Sequence, residues 1–404
     1  MAATAFGRER ISIGLPAESR ASSAAADGTR AQLFAEILTA GPLSRTQLSA
    51  RTGLSQSTVT KVVNPLVEAG YLVETGETSS GMGRPQRMLE VAADRHAVIG
   101  VKIGPERVTG VLADLRAREL ARRTRELSAG HGPSAALAAC AAVASDLLAS
   151  EPRARERLLG IGIGVGGHVD GAGGIVLRSG VLGWDAVEVA APVAAATGLP
   201  TLVGNDVDAL AVAERWFGAG RGIDPFAVVT VGPGIGCGLF LGGGLFTGAT
   251  GLAGELGHIP VQPDGPPCSC GNRGCLEAVA SDAAIVRATA ELGGVGCASI
   301  EDALALARGG NQGALAAFDA MGAMLGRGLA TVCNLVNPRR IVLAGERAAA
   351  FDLFGEACRR SWHEHAFSSA AADCELVVDV TDDAQWARGA GCLVIREAVD
   401  TSSL

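Results

Sequence analysis

The densest chemistry in this 404-residue chain lies in one short stretch, where His258 is followed by Cys268-Ser269-Cys270-Gly271-Asn272-Arg273-Gly274-Cys275. Three thiolates and an imidazole within 18 residues, with two glycines to turn the chain, supply four soft ligands. They make a closed tetrahedral set for structural Zn²⁺, with no open position for catalysis. The remaining seven of the ten cysteines are scattered. In a long chain without the continuous apolar core of a secretory leader, such thiols are free or metal-bound rather than a disulfide framework. The cluster sits in a Gly/Pro loop poor in core-forming residues, which disfavours reading it as buried packing.

A second glycine-rich stretch, Gly162-Ile163-Gly164-Val165-Gly166-Gly167, formally fits G-x-G-x-x-G. It is followed by His168-Val169-Asp170-Gly171 instead of a helix, so it is not read as a dinucleotide site.

A third constellation lies near the N-terminus. Leu33, Phe34, Ile37 and Leu38 mark a first amphipathic helix over Arg30 to Thr39. Ser44-Arg45-Thr46-Gln47 is a capping-box pattern that starts a second helix, which stops at Gly53. Ser55 then caps a third helix in which Val59, Val62, Val63 and Leu66 share one face. Gln56, Ser57, Thr60, Lys61 and Asn64 form its polar, nearly uncharged side, suited to base edges in a DNA major groove, and Gln56, Ser57, Thr58, Thr60 and Lys61 are the candidate DNA contacts. Tyr71-Leu72-Val73 and the Gly81-Met82-Gly83-Arg84-Pro85-Gln86-Arg87 stretch read as a β-wing with Arg84 and Arg87 toward phosphate, as is Arg45. The alternative is a solvated helix face in a small bundle. Pro65 is expected to kink or end the third helix.

The elements that must position these groups follow a clear division. A tail over 1–28, rich in Ala and Ser, is expected to be disordered, and 29–92 forms the winged helix-turn-helix. From residue 96 onward apolar strands such as Val98–Val101, Leu159–Ile163, Thr201–Val203, Ala227–Val231 and Arg340–Leu343 alternate with Ala-rich helices, an α/β pattern. The formal charge of −8 and aromatic content of 4% argue against a nucleic-acid binder when averaged over the chain. Over Thr29–Arg95, however, seven basic residues meet six acidic ones, leaving +1. Phe226 to Gly254, the longest uncharged stretch, is broken by glycines and Pro233 and is not a membrane span. A cytoplasmic protein with no membrane contact is expected.

From about Thr29 the chain resembles the ROK family (repressors, open reading frames, kinases), specifically its regulators with an N-terminal winged helix. The resemblance is carried by Cys268–Glu277, Ala253-Gly254-Glu255-Leu256-Gly257-His258, Asn205-Asp206 and Leu335-Val336-Asn337-Pro338. It implies a two-lobed actin-like ATPase (RNase H-like) sugar-kinase fold over 96–404. It also implies a sugar cleft contacted by Gly167, Asn205, Asp206, Glu255, His258 and Glu277. In family kinases the position of Asp206 is the general base for phosphoryl transfer. The metal, through His258 and Cys275, would then fix the adjacent Glu255 and Glu277.

The phosphate loops depart from the kinase pattern. Lys102-Ile103-Gly104-Pro105-Glu106 stands where kinases carry an Asp-x-Gly-Gly-Thr type loop, Pro233 interrupts the second loop, and Ala344-Gly345 replaces a Gly-Gly pair. ATP use is therefore not expected. The leading reading is a sugar-responsive transcription regulator, a repressor of carbohydrate genes, with no catalytic residue. A working sugar kinase with Asp206 as base is the alternative, and a polysaccharide- or protein-interaction module with a vestigial head is a weaker one. The expected partners are double-stranded, palindromic operator DNA, a sugar effector and further copies of the chain, as homodimer or homotetramer.

Overall fold

A computed structural model of the protein describes residues 24–78, 86–294 and 296–400. In the N-terminal head, helix α1 (Ala24–Ala40) precedes strand β1 (Leu43–Ser44), α2 (Arg45–Thr52) and α3 (Gln56–Glu68). The hairpin of β2 (Leu72–Thr78) and β3 (Gln86–Val91) completes the unit, with strand order β1-β3-β2. The local signals act as expected. The Ser44 hydroxyl accepts from the Gln47 amide while Gln47 Oε1 accepts from the Ser44 amide. Gly53 closes α2 at φ 72°, which a side chain would resist. Ser55 caps α3 through the Thr58 amide.

Two expectations need correction. The last five residues of the supposed tail are helical, because Ala24-Ala25-Ala26 are strong helix formers; residues 1–23 lie outside the described ones. Nor does Pro65 end α3, which runs on to Glu68. The residue one turn earlier, Lys61, is on the exposed side, where a carbonyl can tilt toward water.

A short turn, Ala93–Arg95, leads into the body. Its first lobe holds β4 (Ala97–Ile103), β5 (Arg107–Asp114), β6 (Glu119–Glu126), helix α4 (Pro133–Ser150), β7 (Leu158–Val165), a three-stranded flap of β8 (His168–Asp170), β9 (Ile175–Ser179) and β10 (Trp184–Glu188), then α5 (Ala190–Thr197), β11 (Thr201–Asn205) and α6 (Asp206–Phe217). The second holds β12 (Phe226–Val231), β13 (Ile235–Leu241), β14 (Gly244–Phe246), α7 (Leu276–Ala280), α8 (Asp282–Gly293), α9 (Ile300–Arg308), α10 (Gln312–Val336), β15 (Arg340–Ala344), α11 (Phe351–His365), β16 (Glu375–Val378) and α12 (Asp383–Asp400).

The two central sheets share one plan. Read as β6-β5-β4-β7-β11 and β14-β13-β12-β15-β16, each runs third, second, first, fourth, fifth strand, with the opening hairpins antiparallel and the later strands parallel. This repeated order is the two-lobed actin-like fold. Helix α4 is long and apolar enough to cross a membrane by length and composition alone, but buries Cys140, Val143 and Leu147 against the first sheet.

Helices α6 and α12 cross between the lobes: α12 covers β4, β5 and β7, while α6 lies on β12 and β13 and packs against α12. The approach of α12 is close enough that a methyl group at Gly100 would overlap the Ala387 carbonyl. Head and body are joined by one core. Leu33, Phe34 and Ile37 of α1 belong to the same buried cluster as Val212 and Trp216 of α6 and Ile395 and Val399 of α12.

Candidate functional site

The cleft is built where strands of the first lobe end. After β7 the chain turns through Gly166-Gly167; Gly167 has φ 120°, and a Cβ there would overlap the Arg178 carbonyl. Strand β11 delivers Asn205, whose Oδ1 accepts from the Val207 and Asp208 amides at 2.8 and 3.0 Å. Its Nδ2 donates to the Gly167 carbonyl at 2.9 Å. Asn205 is thus the cap of α6 and the clamp between two strand ends, which fixes where Asp206 points.

Asp206 is buried and paired. One carboxylate oxygen accepts from the Val207 amide at 2.9 Å, and the other accepts from Lys102 Nζ. The ammonium also lies 4.8 Å from the centre of the Trp386 ring. Trp386 Nε1 donates to Glu346 Oε1 at 3.2 Å. Glu346 is pressed against the second phosphate loop: a Cβ on Gly232 would collide with its carboxylate. Beside it Arg347 pairs with Asp282 at 2.8 Å, and the Asp282 amide donates to the Gly232 carbonyl. The loops that depart from the kinase pattern are therefore bordered by the protein's own charges. The replacement at Lys102 was legible in sequence; Glu346, Trp386 and the Asp282–Arg347 pair were not, since the turn bearing Glu346 and Arg347 meets Trp386 of α12 and Asp282 of α8 only in the folded chain.

Further carboxylates interact with these groups. Burial pushes Asp208 up to about 7; Arg396 opposes this, and the charges of Asp206 and Glu255 add to it. Burial also raises Glu255, against the pull of His258 and His168, and Glu277 adds to the rise. Glu277 Oε2 accepts from the Ile235 amide at 3.1 Å, so this expected sugar contact also anchors the start of β13. Asp282 is raised to about 6 by burial, with Arg347 opposing. Flap and second lobe meet across the mouth: His168 Nε2 lies 2.9 Å from the Thr250 carbonyl, and Arg178 donates to the Ser269 carbonyl at 3.2 Å.

The loop after Glu255 brings His258, Cys268, Cys270 and Cys275 together, their ligand atoms all within 4.8 Å of one another. His258 Nδ1 is 3.5 Å from Cys268 Sγ, and Cys270 Sγ is 3.7 Å from Cys275 Sγ. A tetrahedron of sulfur around zinc has edges of about 3.8 Å, given Zn–S bonds of about 2.3 Å, so the set fits such an ion. Crowding argues the same way: burial and the neighbouring thiols push Cys275 up to about 12, a conflict a divalent cation removes. With Nδ1 toward the cysteines, His258 Nε2 faces Glu255 Oε2 at 3.9 Å. Cys275 is the cap residue of α7, which carries Glu277. One loop therefore positions three of the six expected sugar contacts.

In the head, Gln56, Ser57 and Lys61 are exposed on α3, with Thr58 and Thr60 partly so, while Val59, Val63 and Leu66 are buried. Two of the expected phosphate contacts are already engaged. Glu74 on β2 accepts from Arg45 at 2.9 Å and from Arg87 at 2.7 Å, and both arginines hold its carboxyl below the ordinary range. Arg45 also donates to Asn64, and Arg51 pairs with Glu36 at 2.9 Å. Arg84, the expected wing tip, lies outside the described residues.

A two-lobed body of the sugar-kinase type bearing a winged-helix head defines the class: a DNA-binding regulator on a kinase scaffold. Residues 98–397 match the ROK family, and residues 27–81 match the MarR family of winged-helix domains. The chain belongs to the ROK family. It is 29% identical over 370 residues to the xylose repressor of Bacillus subtilis (strain 168), covering 91% of this chain and 95% of that protein. It is 32% identical over 317 residues to the DNA-binding transcriptional dual regulator NagC of Escherichia coli (strain K12), covering 76% and 77%. Among solved structures, a ROK family transcriptional regulator described as a homologue of the E. coli MLC protein matches at TM-score 0.78 and 27% identity, over 94% of this chain and 99% of that one. A ROK family glucokinase from Streptomyces griseus, solved with glucose and AMPPNP, matches at TM-score 0.65 and 27% identity, over 74% and 98%.

Proposed function

We propose that the protein is a sugar-responsive, DNA-binding transcriptional repressor of carbohydrate genes that has given up phosphoryl transfer. The observation that carries this reading is helix α6. Its first turn presents Asp206 to the cleft, and its later turns, through Val212 and Trp216, share a core with head helix α1. A sugar that draws the lobes together moves α6 and α12 against each other and tilts the head. The two sites are then coupled by a packed element with two arrangements.

The sugar is held by Gly167, Asn205, Asp206, Glu255, His258 and Glu277, carboxylates and amides suited to ring hydroxyls. A structural Zn²⁺ on His258, Cys268, Cys270 and Cys275 supplies rigidity to the loop bearing Glu255 and Glu277 and leaves no position for catalysis. DNA is read by Gln56, Ser57, Thr58, Thr60 and Lys61, with Arg45, Arg84 and Arg87 toward phosphate, in a homodimer or homotetramer that matches a palindrome. The protein acts in the cytoplasm. Against the kinase alternative stands the Lys102 ammonium on Asp206: a general base already paired with a cation is a poor proton acceptor.

The test is fluorescence anisotropy of full-length protein on DNA from its own promoter, with and without a panel of sugars. Retention of the DNA and its modulation by one sugar are expected. Protein that neither binds this DNA nor responds to any sugar, or that releases ADP from ATP in a sugar- and Asp206-dependent manner, overturns the reading.

A further inference from the structure

The inner end of the cleft offers little to hold a phosphate. A phosphoryl group needs backbone N–H donors and unpaired cations. In the first loop the Gly104 amide donates to the Arg107 carbonyl at 2.9 Å, and Pro105 has no N–H. In the second, the Gly232 amide is turned onto the Gly234 carbonyl, Pro233 has none, the Ile235 amide is held by Glu277, and the Gly236 amide is held by Thr230 Oγ1 at 3.1 Å. The cations are committed too, Lys102 to Asp206 and Arg347 to Asp282. What remains is acidic: the half-buried Glu346 carboxyl lies against Gly232, accepts from Trp386 Nε1 and shares the single Lys102 charge with Asp206.

We infer that the effector is an uncharged sugar, and that Glu346 together with the Lys102–Asp206 pair excludes its phosphorylated derivatives. A neutral hydroxyl can donate to Asp206 without displacing Lys102. A phosphate dianion must compete with Asp206 for that ammonium and then sit beside Glu346, where the Gly232, Ile235 and Gly236 amides are already engaged. The inference rests on the proposed sugar-responsive reading and adds to it the charge class of ligand and the residues that select it.

The experiment is titration calorimetry of the full-length protein with glucose, xylose and N-acetylglucosamine, each against its terminal-carbon phosphate. One neutral sugar should bind, and its phosphate should bind at least about tenfold more weakly. In Glu346→Gln, checked for an unchanged circular dichroism spectrum, that ratio should narrow while neutral-sugar affinity stays within about threefold. A phosphate that binds as tightly as its parent sugar overturns the inference and leaves the regulator reading standing. A ratio unchanged in a folded Glu346→Gln protein overturns the assignment to Glu346. Binding of no sugar in either form overturns both readings.

Discussion

Replacing Lys102 by Met tests the cleft more directly than any other single change. Lys102 and Asp206 are 15% and 9% exposed at their side chains, so the pair is shielded from water on both sides. Removing one partner of a buried pair leaves the other charge uncompensated and costs about 3–5 kcal/mol. Methionine has nearly the length of lysine and can still lie on the Trp386 ring, so lost packing adds little. The body domain matched to the family spans residues 98–397. At an unfolding entropy of about 2.1 cal/mol/K per residue, such a domain loses about 5–8 °C of melting temperature for that cost. Thermal melting by circular dichroism reads it, and Lys102→Met/Asp206→Asn should recover most of the loss because no orphan charge then remains. A single variant that melts within about 2 °C of the parent, or a double variant no better than the single, would refute the pairing as the organising contact of the cleft.

The other predictions address the crossing helices, the head and the metal loop. Glu214 on α6 is buried; burial lifts its carboxyl from 4.5 to about 7, helped by a hydrogen bond and the charge of Asp379 and opposed by the Ala219 amide and Arg388. A folded-state value above the unfolded one means stability present at low pH is lost as pH rises from about 4.5 through about 7, in all about 3 kcal/mol. Glu214→Gln should therefore gain stability relative to the parent between pH 5 and pH 8, by urea unfolding, and a constant gap across that range would contradict the assignment. In the head, Glu74→Gln should release Arg45 and Arg87 toward DNA and steepen the dependence of log affinity on log salt by about 1–2, since each phosphate contact adds about 0.9. An unchanged slope in anisotropy titrations would mean those arginines do not reach phosphate. If the proposed zinc is bound, a chelator, like Cys270→Ser, should lower both the melting temperature and the sugar affinity, because the loop bearing Glu255 and Glu277 loosens; unaltered melting and binding would remove the loop from the mechanism.

Much of the architecture was legible because its signals are local. Ser44 with Gln47, Ser55, and Gly53 set the ends of the head helices through contacts within three or four positions. Runs such as Ala227–Val231 and Ile341–Leu343 became β12 and β15 because their residues are buried on both faces of the second sheet, where the two strands run parallel. The convergence of His258, Cys268, Cys270 and Cys275 was readable for the same reason, since the four span few residues. The start of α1 was misread where the helix propensity of Ala24-Ala25-Ala26 outweighs composition, and the passage of α3 through Pro65 where solvent exposure lets the helix continue.

What the sequence by itself determined was the parts: a Cys/His cluster, a winged-helix head, two lobes of alternating strands and helices, and loops that depart from the kinase pattern. What only the tertiary structure decided was what borders those loops. Lys102 and Asp206 are 104 positions apart, and Trp386 reaches Glu346 from the last helix. The helix that opens with Asp206 is also the one on which the head rests. Pairing of charges depends on distance in space, and no periodicity in the chain records which distant side chains the packing of two sheets and two crossing helices will bring within a few ångströms.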